Sequence, residues 1–395
     1  MKSVLNYLGG DKVIWVITML MVVFSLVTVY SFVPILVKMS GGSAFKHLIT
    51  HSIYVLMSLG IMVWVYFRDP KYISKLSKFA FYVAIGLMVF TFFFGAKVNG
   101  AGRWVRIPFV GLTFQSSDFA RLALIIYVSR LLVKGKDKVS KLKDWKDGFL
   151  KVVLPIVVMC ALIVKDNFST AAILFGVSMV VLFVGRMHFA KIMALIGGGL
   201  GLFLLVVGIH LAVPQLNILP RWDTWVNRYV KQVDDDVNVI ENAQAMNARL
   251  AIYNGGPTGQ GVGDGKLKSY LPEAYADFYY SSFVEEFGSI SAFILVLLYL
   301  ILLYRIMRIG LNAKDDFHTY VCIGIGVLML SQAAVNMLVC TGLAPVTGQN
   351  MPLLAMGGSA MMMTCLALGI VQSIAKKQES SAPKETDDDM ILETA

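Results

Sequence analysis

Long apolar runs alternate with short polar breaks along almost the whole chain. Nine runs approach the roughly 20 residues that a helix needs to cross a hydrocarbon core about 30 Å thick. They lie at 13–37, 52–67, 79–96, 149–164, 168–185, 189–213, 278–304, 319–343 and 352–375. A tenth, 119–133, is interrupted by Arg121 and Arg130. An even count puts both termini on one side, and the charges in the breaks test it. The breaks on the N-terminal side hold Lys2 and Lys12, then Arg68, Lys71, Lys75 and Lys78, then eight Lys or Arg from Arg130 to Lys151. Arg186 and Lys191, then Arg305, Arg308 and Lys314, and last Lys376, Lys377 and Lys384 follow on that side. The short breaks opposite hold two at 38–51, three at 97–117, Lys165 alone and none at 344–351. Positive charge collects in cytoplasmic loops, so both termini are expected in the cytoplasm. Removing the tenth span would invert every later loop and scatter that charge. The expected fold is therefore an all-α polytopic membrane protein of ten transmembrane helices, with one long extracytoplasmic loop at 213–277 between the seventh and eighth.

Composition agrees: 57% apolar residues and a mean hydropathy of +0.69 exceed what a soluble domain carries. The net charge of +10 becomes a topology signal, and no basic stretch is interleaved with exposed aromatics as nucleic-acid binding would require. The first run follows a polar start and lacks a small-residue cleavage site, which reads as a retained helix. Cys160, Cys322, Cys340 and Cys365 fall in or at the edge of expected helices, implying packing roles and no disulfide framework or metal cluster. His47, His51, His188, His210 and His318 show no metal spacing.

Three polar segments break the pattern. Residues 97–118, KVNGAGRWVRIPFVGLTFQSSD, contain glycines and a proline that forbid a continuous helix. The loop 213–277 holds Trp222, Trp225, the acidic run Asp234–Asp236 and GGPTGQGVGDG from Gly255, and it ends in LPEAYADF at Leu271–Phe278. The third, TGLAPVTGQNMPLLAMGGSA, runs from Thr341 to Ala360. All three are expected on the outer face. A polar tail, 377–395, is expected to be disordered in the cytoplasm. LPEAYADF places Glu273 and Asp277 four residues apart before an apolar run, and a carboxylate at the mouth of a span is costly unless it has work to do. Two readings of Asp277 stand: a working carboxylate, or an N-cap for the helix that follows. Glu285 and Glu286, about two turns further on, fit either a helix-packing contact or a substrate role.

Four blocks in order resemble the SEDS family of bacterial glycan polymerases, over nearly the whole length except the tail. NGAGRW at Asn99–Trp104 is similar to N-G-A-x-R-W, and QSSDFARLAL from Gln115 to Q-P-S-E-x-x-K. GGPTGQGVG with LPEAYADF is similar to a glycine-rich turn followed by L-P-E-x-H-T-D-F. GLAPVTGQNMPLLAMGGSA from Gly342 is similar to G-x-x-P-x-T-G-x-x-L-P-x-x-S-x-G-G-S. The resemblance implies a peptidoglycan glycosyltransferase that polymerises lipid II in the bacterial inner membrane, working with a class B penicillin-binding protein that supplies crosslinks. The QAAVNM run from Gln332 and the VTGQNMP form of the last block look more like the division branch than the elongation branch, which implies a septal location and other divisome partners.

The chemistry can be reasoned independently. Extending a glycan means that a sugar 4-hydroxyl attacks an anomeric carbon whose leaving group is a lipid diphosphate. An alcohol is a weak nucleophile at neutral pH, so a carboxylate that accepts its proton is the expected device, and a single inverting displacement needs only one. Asp277 matches the family's catalytic aspartate and is the candidate base. The diphosphate calls for positive charge from Lys97, Arg103 or Arg106, or from a bound Mg²⁺ or Mn²⁺ with ligands unknown; no organic cofactor is called for. Substrate contacts are expected from Arg103, Lys97, Glu273, Thr347, Gly348, Gly357, Gly358 and Ser359. Glu273 reads equally as a solvated loop residue, Arg103 as an interfacial anchor, and Gly357 and Gly358 as positions where helices pack closely. Asp118 and Arg121, three apart on one helix, are expected to form a structural ion pair.

The departures are specific. The family's H-T before the aspartate is Tyr275-Ala276 here, and its Q-P-D-[LF]-G-T is Lys165-Asp166-Asn167-Phe168-Ser169-Thr170, so that aspartate has become Asn167. The final block reads AMGGSA, with a serine lost at each end. A lipid flippase or transporter, an elongation polymerase and an inactive division scaffold remain the competing readings. A transporter would carry its key carboxylates near the bilayer midplane, and a scaffold would tolerate loss of Asp277.

Overall fold

A computed structural model describes residues 9–40, 43–98, 101–106, 113–141, 144–164, 167–213, 239–271 and 273–381. Several helices start where the chain offers a polar cap to the free N–H groups of a first turn. Asp11 accepts from the N–H groups of Val13 and Ile14, Ser43 from Lys46, Asp69 from Lys71 with Pro70 in the first turn, Asn167 from Thr170 and Asp315 from Phe317. The helices are α1 Lys12–Ser40, α2 Ala44–Tyr66, α3 Pro70–Phe94, α4 Ser116–Lys134, α5 Lys151–Val164, α6 Phe168–Val184, α7 Phe189–Ala212, α8 Val239–Gly255, α9 Tyr279–Leu311, α10 Asp316–Cys340 and α11 Gly358–Ser380.

Seven of the described helices are long and apolar enough to cross a membrane: α1, α2, α3, α7, α9, α10 and α11. Two more, spanning 148–164 and α6, are shorter apolar helices. Exposed leucines along α7, Leu200, Leu202, Leu204 and Leu205, belong to a surface that faces lipid. The protein is a multi-pass membrane protein. Two apolar cores divide the bundle. One gathers α1, α2, α9, α10 and α11, and the other gathers α3 to α7, with α4 and α10 contributing to both.

The all-α expectation is corrected in one place. Residues within 97–118 form an antiparallel sheet of β1 Ala96–Val98, β2 Ala101–Arg106 and β3 Thr113–Gln115. Glycines and Pro108 exclude a helix here but not strands, and pairing Trp104 with Gln115, Val105 with Phe114 and Arg106 with Thr113 satisfies backbone groups that no helix could. The long loop also holds regular structure, since α8 packs on α9. Most of the long loop, residues 214–238 with Trp222, Trp225 and Asp234–Asp236, and the tail 382–395 lie outside the described residues.

The eighth apolar segment is not one straight helix. At Gly288 the backbone turns to φ 80° and ψ 170° inside α9, a conformation open to glycine. The polar groups freed by this break find partners in the glycine-rich turn. Gln260 and Gly261 donate to the carbonyls of Glu285 and Glu286 at 2.9 and 3.1 Å, while Ser289 and Ile290 donate to Gly256 and Pro257 at 2.8 and 3.2 Å. Such an approach leaves no room for side chains: a Cβ on Gly255 would lie 2.1 Å from the Val284 carbonyl oxygen, and one on Gly259 2.2 Å from that of Glu286. A Gly255→Ala protein is expected to lose stability by about 1–3 kcal/mol through this overpacking, read as a lower thermal midpoint in detergent. A wild-type midpoint would contradict the contact.

Candidate active site

Asp277 closes a tight turn. The N–H groups of Ala276, Asp277 and Phe278 all donate to the Glu273 carbonyl, at 2.9, 2.9 and 3.4 Å. Glu273 itself holds φ at 56°, an uncommon conformation for a residue with a side chain. Backbone held against preference costs of order 1–3 kcal/mol and clusters at functional sites. The N-cap position of α9 falls on Phe278 rather than Asp277, so the simple capping reading of the aspartate does not describe the helix start.

The turn is anchored by Asn336, a fully buried amide in the middle of apolar α10. Its Nδ2 donates to the carbonyls of Ala276, Asp277 and Gln349 at 3.3, 3.0 and 2.8 Å, and its Oδ1 accepts from the Tyr280 N–H at 3.3 Å. One side chain thus ties the turn that carries Asp277 to the strap 341–357 between α10 and α11. Asn336→Ala is expected to cost about 1–3 kcal/mol, because the carbonyls that share its two N–H groups lose a buried donor, read as a lower thermal midpoint in detergent. A wild-type midpoint would show that this tie does not hold the turn.

Gly348 brings the strap to the carboxylate. Its φ is +67°, and a Cβ there would lie 3.6 Å from Asp277 Oδ2 and 3.7 Å from Asn167 Nδ2. The neighbouring Thr347 hydroxyl is buried and finds no hydrogen-bond partner among the described residues, an arrangement that costs about 1–3 kcal/mol unless something else supplies the partner. Beyond Gly348 a cavity of mixed polar and apolar lining opens between α4, α6, α10, α11 and the strap. Arg121 and Asp118 form a buried ion pair in its wall. Ser359 donates to the free oxygen of Asp118 at 2.8 Å. Arg121 also donates to Gln349 at 3.3 Å and, in the amide orientation that satisfies both groups, to Gln332 at 3.2 Å. Gln349 in turn donates to the Thr170 hydroxyl at 2.7 Å.

The structure therefore brings Asp277 and Thr347 to Gly348, which lines the cavity together with Asp118 and Arg121, while Ser359 reaches the cavity only through its bond to Asp118. It separates the two other glycines. A Cβ on Gly358 would lie 2.1 Å from the Tyr54 ring, so that glycine serves the packing of α2 on α11, and Gly357 lies against Asn350 of the strap. The backbones of Lys97 and Arg103 fall on β1 and β2, but their side chains, like that of Arg106, lie outside the described residues.

Glu273 hydrogen-bonds Tyr275. Burial, together with the carboxylates of Glu273 and Asp277, pushes the Tyr275 phenol well above its ordinary range, so it keeps its proton at any working pH. Glu285 accepts the N–H groups of Lys266, Leu267 and Lys268 at 2.9, 3.0 and 3.3 Å, and Glu286 pairs with Lys268 and accepts from Ser31. These two glutamates hold the loop to the helix. Among the described residues no three His, Cys, Asp or Glu come together as metal ligands. Asn336, Gln349 and Lys268 were not singled out from the sequence. A lone amide in an apolar helix is the signal that marks Asn336, and that of Lys268 is charge complementary to Glu285 and Glu286.

Residues 11–380 match the family model of FtsW, RodA and SpoVE, described as cell cycle protein. The chain belongs to this family. It is 30% identical over 380 residues to the probable peptidoglycan glycosyltransferase FtsW of Geobacter sp. (strain M18), covering 95% of this chain and 99% of the relative. It is 28% identical over 391 residues to the probable peptidoglycan glycosyltransferase FtsW of Coxiella burnetii, covering 96% and 99%. A chain of a solved peptidoglycan synthase complex shares the fold with a TM-score of 0.71 at 20% identity, over 93% of this chain and 98% of that one. The rod shape determining protein RodA of Thermus thermophilus does so with a TM-score of 0.64 at 19% identity, over 94% and 99%.

Proposed function

We propose that this chain is a peptidoglycan glycosyltransferase of the division branch, polymerising lipid II into glycan strands at the septum. The observation that carries the reading is the Asp277 carboxylate, carried by a strained turn that Asn336 anchors and set beside Gly348, which lines a cavity, and beside the Thr347 hydroxyl, which has no hydrogen-bond partner among the described residues. The curated relatives named FtsW support the division branch. In this reading the chain crosses the inner membrane ten times with both termini in the cytoplasm, and the site opens on the outer face.

The reaction is a single displacement. The 4-hydroxyl of the acceptor sugar gives its proton to Asp277 as its oxygen bonds to the anomeric carbon of the donor. The bond from that carbon to the lipid diphosphate breaks at the same time, its electrons leave with the diphosphate, and the anomeric centre inverts. A positioned carboxylate base contributes roughly 10²–10⁴ in rate. Thr347 supplies a hydroxyl to a substrate oxygen, and Lys97 and Arg103 supply charge to the diphosphate. The partner is a class B penicillin-binding protein, whose transpeptidase crosslinks the product, alongside other divisome proteins.

Purified protein given labelled lipid II, alone and with its penicillin-binding partner, tests this directly. Glycan ladders on a gel are the expected result. Translocation of intact lipid II in vesicles without polymer would favour a flippase, and no change in either assay with partner and divalent cation present would favour a scaffold.

A further inference from the structure

The end of the bundle where α2 turns into α3 carries a charge pattern that the candidate active site does not use. Lys71, Lys75 and Lys78 recur at helical spacing along α3, so they share one face, and all three are exposed. Further into the span the same face continues as Tyr82, Val89 and Phe93, which are exposed too. A second exposed stripe, Tyr72, Leu76 and Phe79, runs beside it. Charge at the helix start thus passes into apolar surface along a single line.

Anions are scarce at this end. Asp69 is the only acidic residue between Phe67 and Tyr82, and it is already engaged, accepting from the Lys71 N–H at 2.9 Å and pairing with Lys377 of α11 at 3.3 Å. Among the described residues none of the three lysine side chains forms an ion pair. Arg130 of α4 joins them from the side, donating to the Lys75 carbonyl at 3.2 Å and the Ser77 hydroxyl at 3.3 Å. Aromatic rings stand where carboxylates would be expected: Lys75 Nζ lies 5.8 Å from the centre of the Tyr72 ring, and Lys78 Nζ 6.0 Å from that of Tyr82.

Depth narrows the ligand. About 20 residues fill a hydrocarbon core, and counted back from the far end of α3 at Phe94 they reach Lys75. Lys78 then lies about one turn inside the boundary, its ammonium beside Tyr82 and turned into the span. A charge at that depth is costly unless an opposite charge meets it. From Lys78 to Val89 the helix rises about 16 Å, close to the half-thickness of about 15 Å of the core. An anion that is joined to apolar chains of that reach fits both parts of the face, whereas a soluble phosphate or an acidic peptide would leave the apolar part unused.

We propose that this face of α3, with Arg130, binds the phosphodiester of an anionic phospholipid whose chains lie along Tyr82, Val89 and Phe93. The lysines and Arg130 meet the phosphate, and a headgroup that carries its own cation binds less well because that cation faces the same positive charge. In the orientation proposed above the lipid belongs to the cytoplasmic leaflet. Because α3 leads directly into β1, a lipid held at one end of the helix sets the depth of the sheet at the other.

Native mass spectrometry of the full chain in detergent, titrated with phosphatidylglycerol or with phosphatidylcholine of the same chains, tests the site. Wild type is expected to bind the anionic lipid at least tenfold more tightly. Lys75→Gln with Lys78→Gln should weaken that binding about 10–30-fold, with an unchanged melting midpoint in phosphatidylcholine. Arg308→Gln with Lys314→Gln removes the same charge near the end of α11, where Gln378 bonds the Ile309 carbonyl, and should stay within about twofold of wild type. Equal loss in the two double variants, no loss in the lysine variant or no preference between the lipids overturns the proposal. If the lysine double variant does not fold, wild-type affinity in Lys75→Gln and Lys78→Gln taken singly overturns it. Displacement of the lipid by glycerol 3-phosphate at matching concentration would assign the face to a soluble phosphate instead. A more than tenfold gain in affinity when Asp387, Asp388 and Asp389 are all changed to Asn would assign it to the chain's own acidic tail.

Discussion

An Asp277→Asn protein is expected to insert, fold and melt like wild type while losing lipid II polymerisation by about 10²–10⁴-fold. The two effects separate because the hydrogen bonds that tie Asp277 into the turn and to Asn336 come from its backbone. Its carbonyl takes the Asn336 amide at 3.0 Å, and its N–H goes to Glu273 at 2.9 Å. Neither changes when the side chain becomes an amide of the same shape. Asparagine can still hydrogen-bond the acceptor sugar, so the loss should fall on kcat rather than KM, as it does for a group that acts only in the transition state. Equal polymer from both proteins would sink the base assignment and leave Asp277 as a structural residue. Loss of activity together with a lowered melting point would give the same answer for a different reason.

The second large effect is structural. Lys268 is 4% exposed and Glu286 3%, and their ion pair is completed by the Ser31 hydroxyl, the Ser31 carbonyl at 3.2 Å and the Gly263 carbonyl at 3.1 Å. Lys268→Met leaves Glu286 as a buried, uncompensated carboxylate, which costs about 3–5 kcal/mol. A buried pair is not itself a strong source of stability, because desolvation offsets most of the attraction. The double variant Lys268→Met with Glu286→Leu should therefore recover most of the loss. A denaturant series in detergent on the two single variants and the double variant measures the coupling. Additive losses, or a Lys268→Met protein as stable as wild type, would show that the pair is not what fixes the loop. Polymerase activity in the double variant, if restored along with stability, would place Lys268 and Glu286 in support of the turn and outside the chemistry.

The helices were legible because an apolar stretch of membrane-spanning length leaves little else that the backbone can do. Their ends were less so. The last segment was expected from 352, but the helix starts at Gly358, because the strap 341–357 spends its polar groups on Asn336, Arg121 and Thr170 instead of on itself. The sheet at 96–115 was missed for a related reason: glycine and proline say what a segment cannot form, and strand pairing depends on a partner distant in sequence. The Asp277 turn and the Thr347–Gly348 strap were found through motif resemblance, and the structure places them side by side. Asn336 entered the sequence reading only as a marker of the division branch, since nothing in one dimension shows that an amide in α10 faces three carbonyls from two other segments. The glutamates of α9 were ambiguous from spacing alone, and their partners settle them as loop anchors.

The break at Gly288 bears on how the protein is made. A 33-residue helix would measure about 50 Å, well beyond a hydrocarbon core of about 30 Å, and the interruption leaves 289–311 as a length that fits by itself. The carbonyls of Glu285 and Glu286 and the N–H groups of Ser289 and Ile290 have lost their helical partners, and in lipid each would cost several kcal/mol. The turn that satisfies them, 256–261, leaves the ribosome before the helix does. Membrane insertion of this segment is thus tied to a fold that the chain has already begun outside the bilayer, and an error in the glycine-rich turn becomes a defect of biogenesis before it becomes one of catalysis.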